Sequence, residues 1–295
     1  MTAPVLPWAG LALAAAGAIA FSGKAIIVKL AYRHGVDAVT LLMYRMLFSL
    51  PLFVALAWWA GRGKPPLSRR DLVLVAGLGF SGYYLASFLD FLGLQYISAS
   101  LERLILYLTP TLVLGFGALF FGHGVTSRQL LALAVSYAGV LLVFGHEVRF
   151  SGTDTFIGAA LVFGGAISYA LYLVFSGEHV ARLGALRLTG WATSIAALLC
   201  IAQFLVLRPL SAAEVATPVL WLSVLNALAC TFAPVIMVML AIERIGATLT
   251  AQTGMIGPLS TLLMGVWLLG EPFNTWIAAG TVLVLAGVAL LARAR

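Results

Sequence analysis

Charge is scarce in this sequence. Asp, Glu, Lys and Arg make up only 9% of its 295 residues, against about 25% in an ordinary soluble domain, too few to cover a water-facing surface. A bilayer is the implied solvent. Cysteine is nearly absent as well, and Cys200 and Cys230 fall mid-span among apolar neighbours, where each reads as a small buried hydrophobe and not as half of a disulfide or ligand pair. HExxH, P-loop and GxSxG signatures are missing, which excludes zinc proteases, ATP-driven pumps and hydrolases that carry them. Neither a metal site nor a cofactor is expected, and no constellation points to an enzyme. Gly77, Gly79 and Gly82 spell GxGxxG with Glu102 downstream, but no soluble strand precedes them and no helix N-terminus follows to cradle a pyrophosphate, so they read as packing glycines. The net charge of +7 comes without a basic-aromatic patch, and nucleic acid is not an expected partner.

What the chain has in abundance is hydrophobic length. Apolar residues make up 62%, in runs of 18 or more that suffice to cross a hydrocarbon core of about 30 Å. The connections are too short for a soluble domain. A spanning backbone must satisfy its own hydrogen bonds, and the period-2 alternation of a barrel wall is absent, so the spans are helices. Ten are predicted: Pro7 to Tyr32, Ala38 to Ala60, Asp71 to Leu94, Ile97 to Phe121, Thr126 to Phe144, Phe156 to Phe175, Leu186 to Leu207, Val215 to Ile242, Ala247 to Leu269 and Phe273 to Ala292. The first lacks a basic leader and reads as a retained span.

Shifted by 148 residues, the chain matches itself. Gly10, Gly17, Ala18 and Ile19 fall on Gly158, Gly165, Ala166 and Ile167; Ala99, Leu101, Pro110 and Gly122 fall on Ala247, Leu249, Pro258 and Gly270; Ala138-Gly139-Val140 falls on Ala286-Gly287-Val288. One shift serving first, fourth and fifth spans indicates duplication, with halves at 1–146 and 147–295. Five spans per half reverse the second across the membrane, an inverted-topology repeat common among secondary transporters. With the N-terminus inside, ten basic residues fall in inner connections and the tail, and only Arg33, Arg149 and Arg208 in outer ones. This positive-inside bias puts both termini in the cytoplasm of an inner-membrane, multi-pass protein.

Ionisable groups within a span are costly and normally face a cavity or one another. At 1.5 Å per residue, Lys24 lies about 12 Å, Arg45 about 10 Å and Arg103 about 9 Å from the outer end of its span. Asp90 and Glu102 share that layer. A substrate site for a zwitterion, such as an amino acid, is the functional reading; a structural ion-pair network is the alternative. Asp90 and Glu102 are open either to a proton or to pairing with Arg45 or Arg103. Lys29, near a span end, is expected to snorkel to the interface.

Helical spacing adds Tyr83, Ser87 and Asp90 on one stripe and Arg103, Tyr107 and Thr111 on another, with Ser168–Tyr172 and Thr248–Gln252 as second-half pairs. Tyr83, Tyr107, Tyr172 and Gln252 are therefore candidate cavity residues, with packing as the other reading of the tyrosines. Pro110 and Pro258 read as repeat-related helix kinks suited to a hinge. Trp58, Trp59 and Trp276 read as interfacial belt residues, and Ala12, Ala16 and Ala20 with Gly115, Gly117 and Gly122 as close helix contacts.

Phe21-Ser22-Gly23 followed by Lys29, Arg45 opening RMLF, ASLERLILYLTP from Ala99, ATLTAQTGMIGP from Ala247, and Leu268-Leu269-Gly270-Glu271-Pro272 together resemble the EamA-type transporters of the drug/metabolite transporter superfamily, along nearly the whole chain. The first half departs from the LGEP ending with His123-Gly124, and Phe21 stands where the family often has Trp. The resemblance implies ten helices, cytoplasmic termini, a cavity between the halves, and export of amino acids or similar metabolites, with the YddG-like aromatic amino acid exporters among the relatives. Drug, nucleoside or nucleotide-sugar carriage is the alternative within the superfamily; the lysines of the first span, with no carboxylate, disfavour cationic drugs. The expected partners are a small-molecule substrate and the lipid bilayer.

Overall fold

Helix starts in this chain are written in short polar residues, and the architecture follows from where they stand. The computed structural model describes residues 7–122, 124–254 and 256–293, and every regular element among them is helical. After α1 (Pro7–Tyr32), Asp37 accepts from Val39 N at 2.9 Å and Thr40 N at 3.3 Å and opens α2 (Ala38–Gly61). Arg208 reaches the same carboxylate at 3.1 Å. Burial pushes the Asp37 carboxyl upward, but bonds from Thr40, Arg208 and Val39 outweigh it and hold the group below its ordinary value. A Ser68–Asp71 capping box begins α3 (Arg69–Gly79), which passes through a π-helical turn, Phe80–Leu85, into α4 (Ala86–Gly93). Ser98 caps α5 (Ala99–Leu106), α6 (Thr109–Phe121) follows, and a Thr126–Gln129 capping box starts α7 (Ser127–Ser151).

The second half comprises α8 (Thr153–Leu183), α9 (Ala185–Leu207), α10 (Thr217–Ala227), a π-helical turn at Leu228–Phe232, α11 (Ala233–Thr253), α12 (Ile256–Met264), another π-helical turn at Gly265–Leu269, and α13 (Thr275–Arg293). Among the described residues, eight helical stretches are long and apolar enough to cross a membrane, and Leu259–Leu269 and Thr275–Leu290 are shorter apolar helices. Several boundaries differ from expectation, α8 among them, which runs on to Leu183 where Phe175 was expected. The turn expected after Ile242 is absent: residues 243–246, Glu-Arg-Ile-Gly, contain no proline to stop the backbone ladder, and α11 runs on until Gly254. Likewise α7 continues past Phe144 to the positive-φ Gly152.

The 148-residue offset reappears in three dimensions. The π turns at Phe80 and Leu228 begin 148 positions apart, and Gly122 (φ 67°) and Gly270 (φ 72°), equally spaced, both end helices in the left-handed conformation. Pro110 does not sit inside an unbroken helix as expected. The helix breaks at Tyr107–Leu108, and Pro110 stands in the first turn of α6, where its missing N–H costs nothing. The corresponding break at Gly254 separates α11 from α12, with Pro258 in the latter.

The two halves are interlocked. α2 packs on α9 and α7 on α13, each pair repeat-mates, while α1 lies against α11 and α12 and α8 against α4 and α6. In lipid, such contacts depend on close approach through small residues and not on escape from water. A Cβ on Gly139 would stand 2.7 Å from Gly280 O, and one on Gly190 would stand 2.9 Å from Ala57 Cα. On α1 the contact face is Gly10, Ala14 and Gly17, with Gly17 against Val238; Ala12 and Ala16 point outward, and Gly115 and Gly122 face open space. Trp58, Trp59 and Trp276 are exposed as belt residues would be, with the Arg62 guanidinium 3.8 Å from the Trp58 ring centroid. Gly139→Leu is expected to wedge α7 off α13 at a cost of about 1–3 kcal/mol or more, read as a lowered melting temperature in detergent, whereas Gly115→Leu leaves it unchanged.

Candidate functional site

Lys24, on α1, places its ammonium 2.5 Å from Asp90 Oδ2 on α4 and 3.2 Å from Glu102 Oε1 on α5. Glu102 lies in the first turn of α5, where the positive end of the helix favours a carboxylate. Both acids are buried, and among the described residues Asp90 Oδ1 and both oxygens of Glu102 have no hydrogen-bond partner. One ammonium thus serves two carboxylates, hydrogen-bonded to Asp90 and in ion-pair contact alone with Glu102, an arrangement with spare acceptor capacity in the protein interior.

The arginines of the layer are held differently. Arg45, 6% exposed, donates from Nε to Thr231 Oγ1 at 2.9 Å and lies 5.2 Å from the Phe91 ring centroid. Thr231 belongs to the second π turn, and its hydroxyl donates onward to Asn226 O at 2.8 Å. Arg103 donates from Nε to Thr261 Oγ1 at 3.0 Å and from Nη2 to Phe21 O at 3.1 Å. Among the described residues no carboxylate lies within ion-pair distance of either guanidinium. Of the two alternatives open to Asp90 and Glu102, a proton or pairing with Arg45 or Arg103, the arginine pairing is not the one formed: both acids meet Lys24, which leaves both arginines to hydroxyl partners.

Those partners sit in the other half. Thr231 and Thr261 reach Arg45 and Arg103, Ser22 donates to Gly257 O at 2.9 Å, and Tyr107 donates to Gly254 O at 3.4 Å. A Cβ on Gly23 would meet Cys230 Sγ at 3.1 Å. The charged layer therefore lies on the seam between α1, α2, α4 and α5 on one side and the second π turn with α12 on the other. The second half supplies hydroxyls and carbonyls there in place of charges.

Tyr83 and Tyr172 form a separate group. Their hydroxyls are 3.1 Å apart and their rings meet edge-on at 5.0 Å, with Tyr169 stacked on Tyr172 at 5.6 Å, in an apolar cluster with Val75, Leu78 and Leu188. Ser168 donates to Ser81 O in the first π turn at 2.8 Å. Gly82 packs on the Tyr172 ring and Gly79 on the backbone of Ala192, the packing role expected of two of the three GxGxxG glycines. The side chains of Thr248, Gln252 and Pro258 lie outside the described ones.

A second set of charged groups is held in a way the sequence does not announce. Lys29 does not snorkel; its ammonium donates to Leu94 O at 3.1 Å and Ile97 O at 2.9 Å, satisfying carbonyls where α4 ends. Glu271 accepts from Ala99 N at 2.7 Å and from Ser100 N and Oγ at 3.2 and 2.7 Å, while Glu147 accepts from Ser98 Oγ at 2.5 Å. A cation at the C-terminus of α4 and an anion at the N-terminus of α5 match the dipoles of both helices. This clasp borders an open pocket of about 850 Å³ lined by Lys29, Tyr32, Ser98, Glu147, Glu271 and Asn274 among others. None of the residues expected to bind substrate lines it. Glu271 belongs to the LGEP segment, but no local signal tells that it caps a helix so far away in sequence.

Comparison with known proteins agrees with this architecture. The EamA-like transporter family model matches twice, over residues 8–145 and 156–293, again 148 positions apart. The chain is 31% identical over 268 residues to the uncharacterized transporter YcbK of Bacillus subtilis, covering 86% of this chain and 83% of that one. It is 25% identical to an uncharacterized transporter of Archaeoglobus fulgidus, covering 92% of each. A solved crystal structure with 20% sequence identity superposes with a TM-score of 0.63 over 97% of this chain and 98% of that one, which establishes likeness of fold. Two matched repeats, apolar helices throughout and transporter relatives along most of the chain make this protein a multi-pass membrane transporter, not an enzyme, that belongs to the EamA-like transporter family.

Proposed function

We propose that this protein is a secondary transporter of the cell inner membrane that exports amino acids or similar small zwitterionic metabolites by alternating access. Ten spans in two five-helix halves of opposite orientation, with both termini cytoplasmic, are the architecture behind that reading. The repeat-related π turns and the basic residues of the inner connections support it. The lipid bilayer is its surroundings, and a small molecule is its partner.

The observation that carries the proposal is the charged seam. A zwitterion needs a carboxylate for its ammonium and a cation for its carboxylate, both shielded from water and within reach of both moving halves. Asp90 and Glu102 offer buried acceptors, and Arg45 and Arg103 are guanidiniums without carboxylate partners among the described residues. Each is anchored to the opposite half, through Thr231 or Thr261. Relative motion of the halves therefore remakes the site, which is what alternating access requires. Tyr107, whose hydroxyl bridges to Gly254, belongs to the same seam. Tyr83 and Tyr172, grouped apart from this seam, and Gln252 stay candidate lining residues of the transport path, with Pro110 and Pro258 at the paired helix breaks as hinges.

The test is counterflow in proteoliposomes loaded with unlabelled amino acids, using labelled aromatic, aliphatic and cationic amino acids outside. Saturable counterflow of at least one α-amino acid is expected, inhibited by its analogues only when they keep both charged groups. If no amino acid is exchanged while a nucleoside or drug is, the zwitterion reading fails and the alternative within the superfamily stands.

A further inference from the structure

Three cations enter the charged seam, and they are not equally fixed. Arg45 is pinned by Thr231 and packed on Phe91, and Arg103 by Thr261 and the Phe21 carbonyl. The two ion-pair contacts of Lys24 are to Asp90 and Glu102. Its side chain is also the more exposed member of both pairs, 17% against 5% and 0%. Lysine carries its charge on a flexible stem with three rotatable donors, so it can leave an acceptor and return without dismantling a rigid fork.

We infer that Lys24 is an internal counter-ion, which occupies the Asp90–Glu102 pair when the transporter is empty and yields it to the ammonium group of an entering substrate. The inference rests on the zwitterion reading above and adds a role that substrate binding alone does not give. Two carboxylates cannot remain buried and uncompensated while the empty protein changes conformation. Lys24 supplies the missing charge during that return, so the empty form recycles and net export proceeds without a substrate coming back. A protein lacking this lysine crosses readily only when loaded, because the substrate ammonium then provides the charge. It becomes an exchanger.

The spare acceptors make the same point. Asp90 Oδ1 and Glu102 Oε2 are buried and without a hydrogen-bond partner among the described residues, so an ammonium from a substrate has oxygens to approach before Lys24 departs. Displacement can proceed stepwise, with the carboxylates bare at no stage.

Lys24→Met keeps the length of the side chain and removes its charge. In proteoliposomes, net efflux into substrate-free buffer and counterflow against internal substrate are measured side by side at pH 8. Net efflux of Lys24→Met is expected to fall about a hundredfold at pH 8, in line with the cost of orphaning buried charge, while counterflow stays measurable. The double variant Lys24→Met/Glu102→Gln has the same summed charge over the three positions as the wild type, and its net efflux recovers relative to counterflow. The inference is overturned if efflux and counterflow fall together in both the single and double variants, or if neither changes. Wild-type protein that exchanges no amino acid defeats the zwitterion reading instead, and the two failures are distinguishable.

Discussion

Asp90→Asn is expected to cut amino acid counterflow about a hundredfold while leaving a folded protein. The substitution preserves shape and removes one of two charges that face a single ammonium. In the wild type Lys24 divides itself between Asp90 at 2.5 Å and Glu102 at 3.2 Å. In the variant Lys24 has only Glu102 to neutralise, and the pair closes on itself. An entering ammonium then competes for a carboxylate that is already fully engaged, so apparent affinity falls. Stability moves little by comparison, because losing a buried partner costs about 3–5 kcal/mol only where the remaining charge is left alone, and here Lys24 keeps Glu102. Concentration dependence of counterflow and a melting curve in detergent, taken together, check this. A large loss of stability with little change in transport would assign the cluster to structure.

That cluster was half legible in the sequence. The cost of charge in hydrocarbon is enough to single out Lys24, Arg45, Asp90, Glu102 and Arg103, and counting along each span brings them to one layer. Pairing is another matter. Which acid meets which base depends on the rotation of α1 against α4 and α5, and on hydroxyls of the second half, Thr231 and Thr261, that carry no charge to draw attention. The tyrosines show the same limit. Tyr83 lies on the same helical stripe as Asp90, yet the intervening π turn at Phe80–Leu85 alters the pitch, and the ring turns toward Tyr172. Helical spacing assumes an unbroken period, and three π turns break it among the described residues.

Fold was read more surely than site because hydrophobic length and repetition are properties of whole segments and tolerate local irregularity. The offset of 148 survives as paired π turns and paired left-handed glycines although few side chains are shared. Helix ends fared worse where nothing polar marks them. Asp37, Ser68, Ser98 and Thr126 announce their helices by capping them, whereas the expected turn after Ile242 had no proline and no such marker following it, and helix continues through it. Glu271 caps α5 from the far end of the chain, a contact that only folding creates.

Arg45→Met carries the second large effect and separates recognition of carboxylate from recognition of ammonium. The guanidinium is buried, faces no described carboxylate within ion-pair distance, and keeps its Nε on a hydroxyl of the opposite half. A charge so placed is costly unless an anion visits it. If that anion is the substrate carboxylate, methionine removes a desolvated, charge-assisted contact of about 2–5 kcal/mol, and apparent affinity for the amino acid weakens roughly a hundredfold. The corresponding amino acid amide has an ammonium but no carboxylate, so its weaker interaction is expected to change less than fivefold. Competition of labelled amino acid counterflow by acid and amide, in wild type and Arg45→Met, therefore yields a ratio that collapses toward one only if Arg45 reads the carboxylate. A purely structural arginine would depress both equally, through the loss of its tie to Thr231, and the ratio would stand.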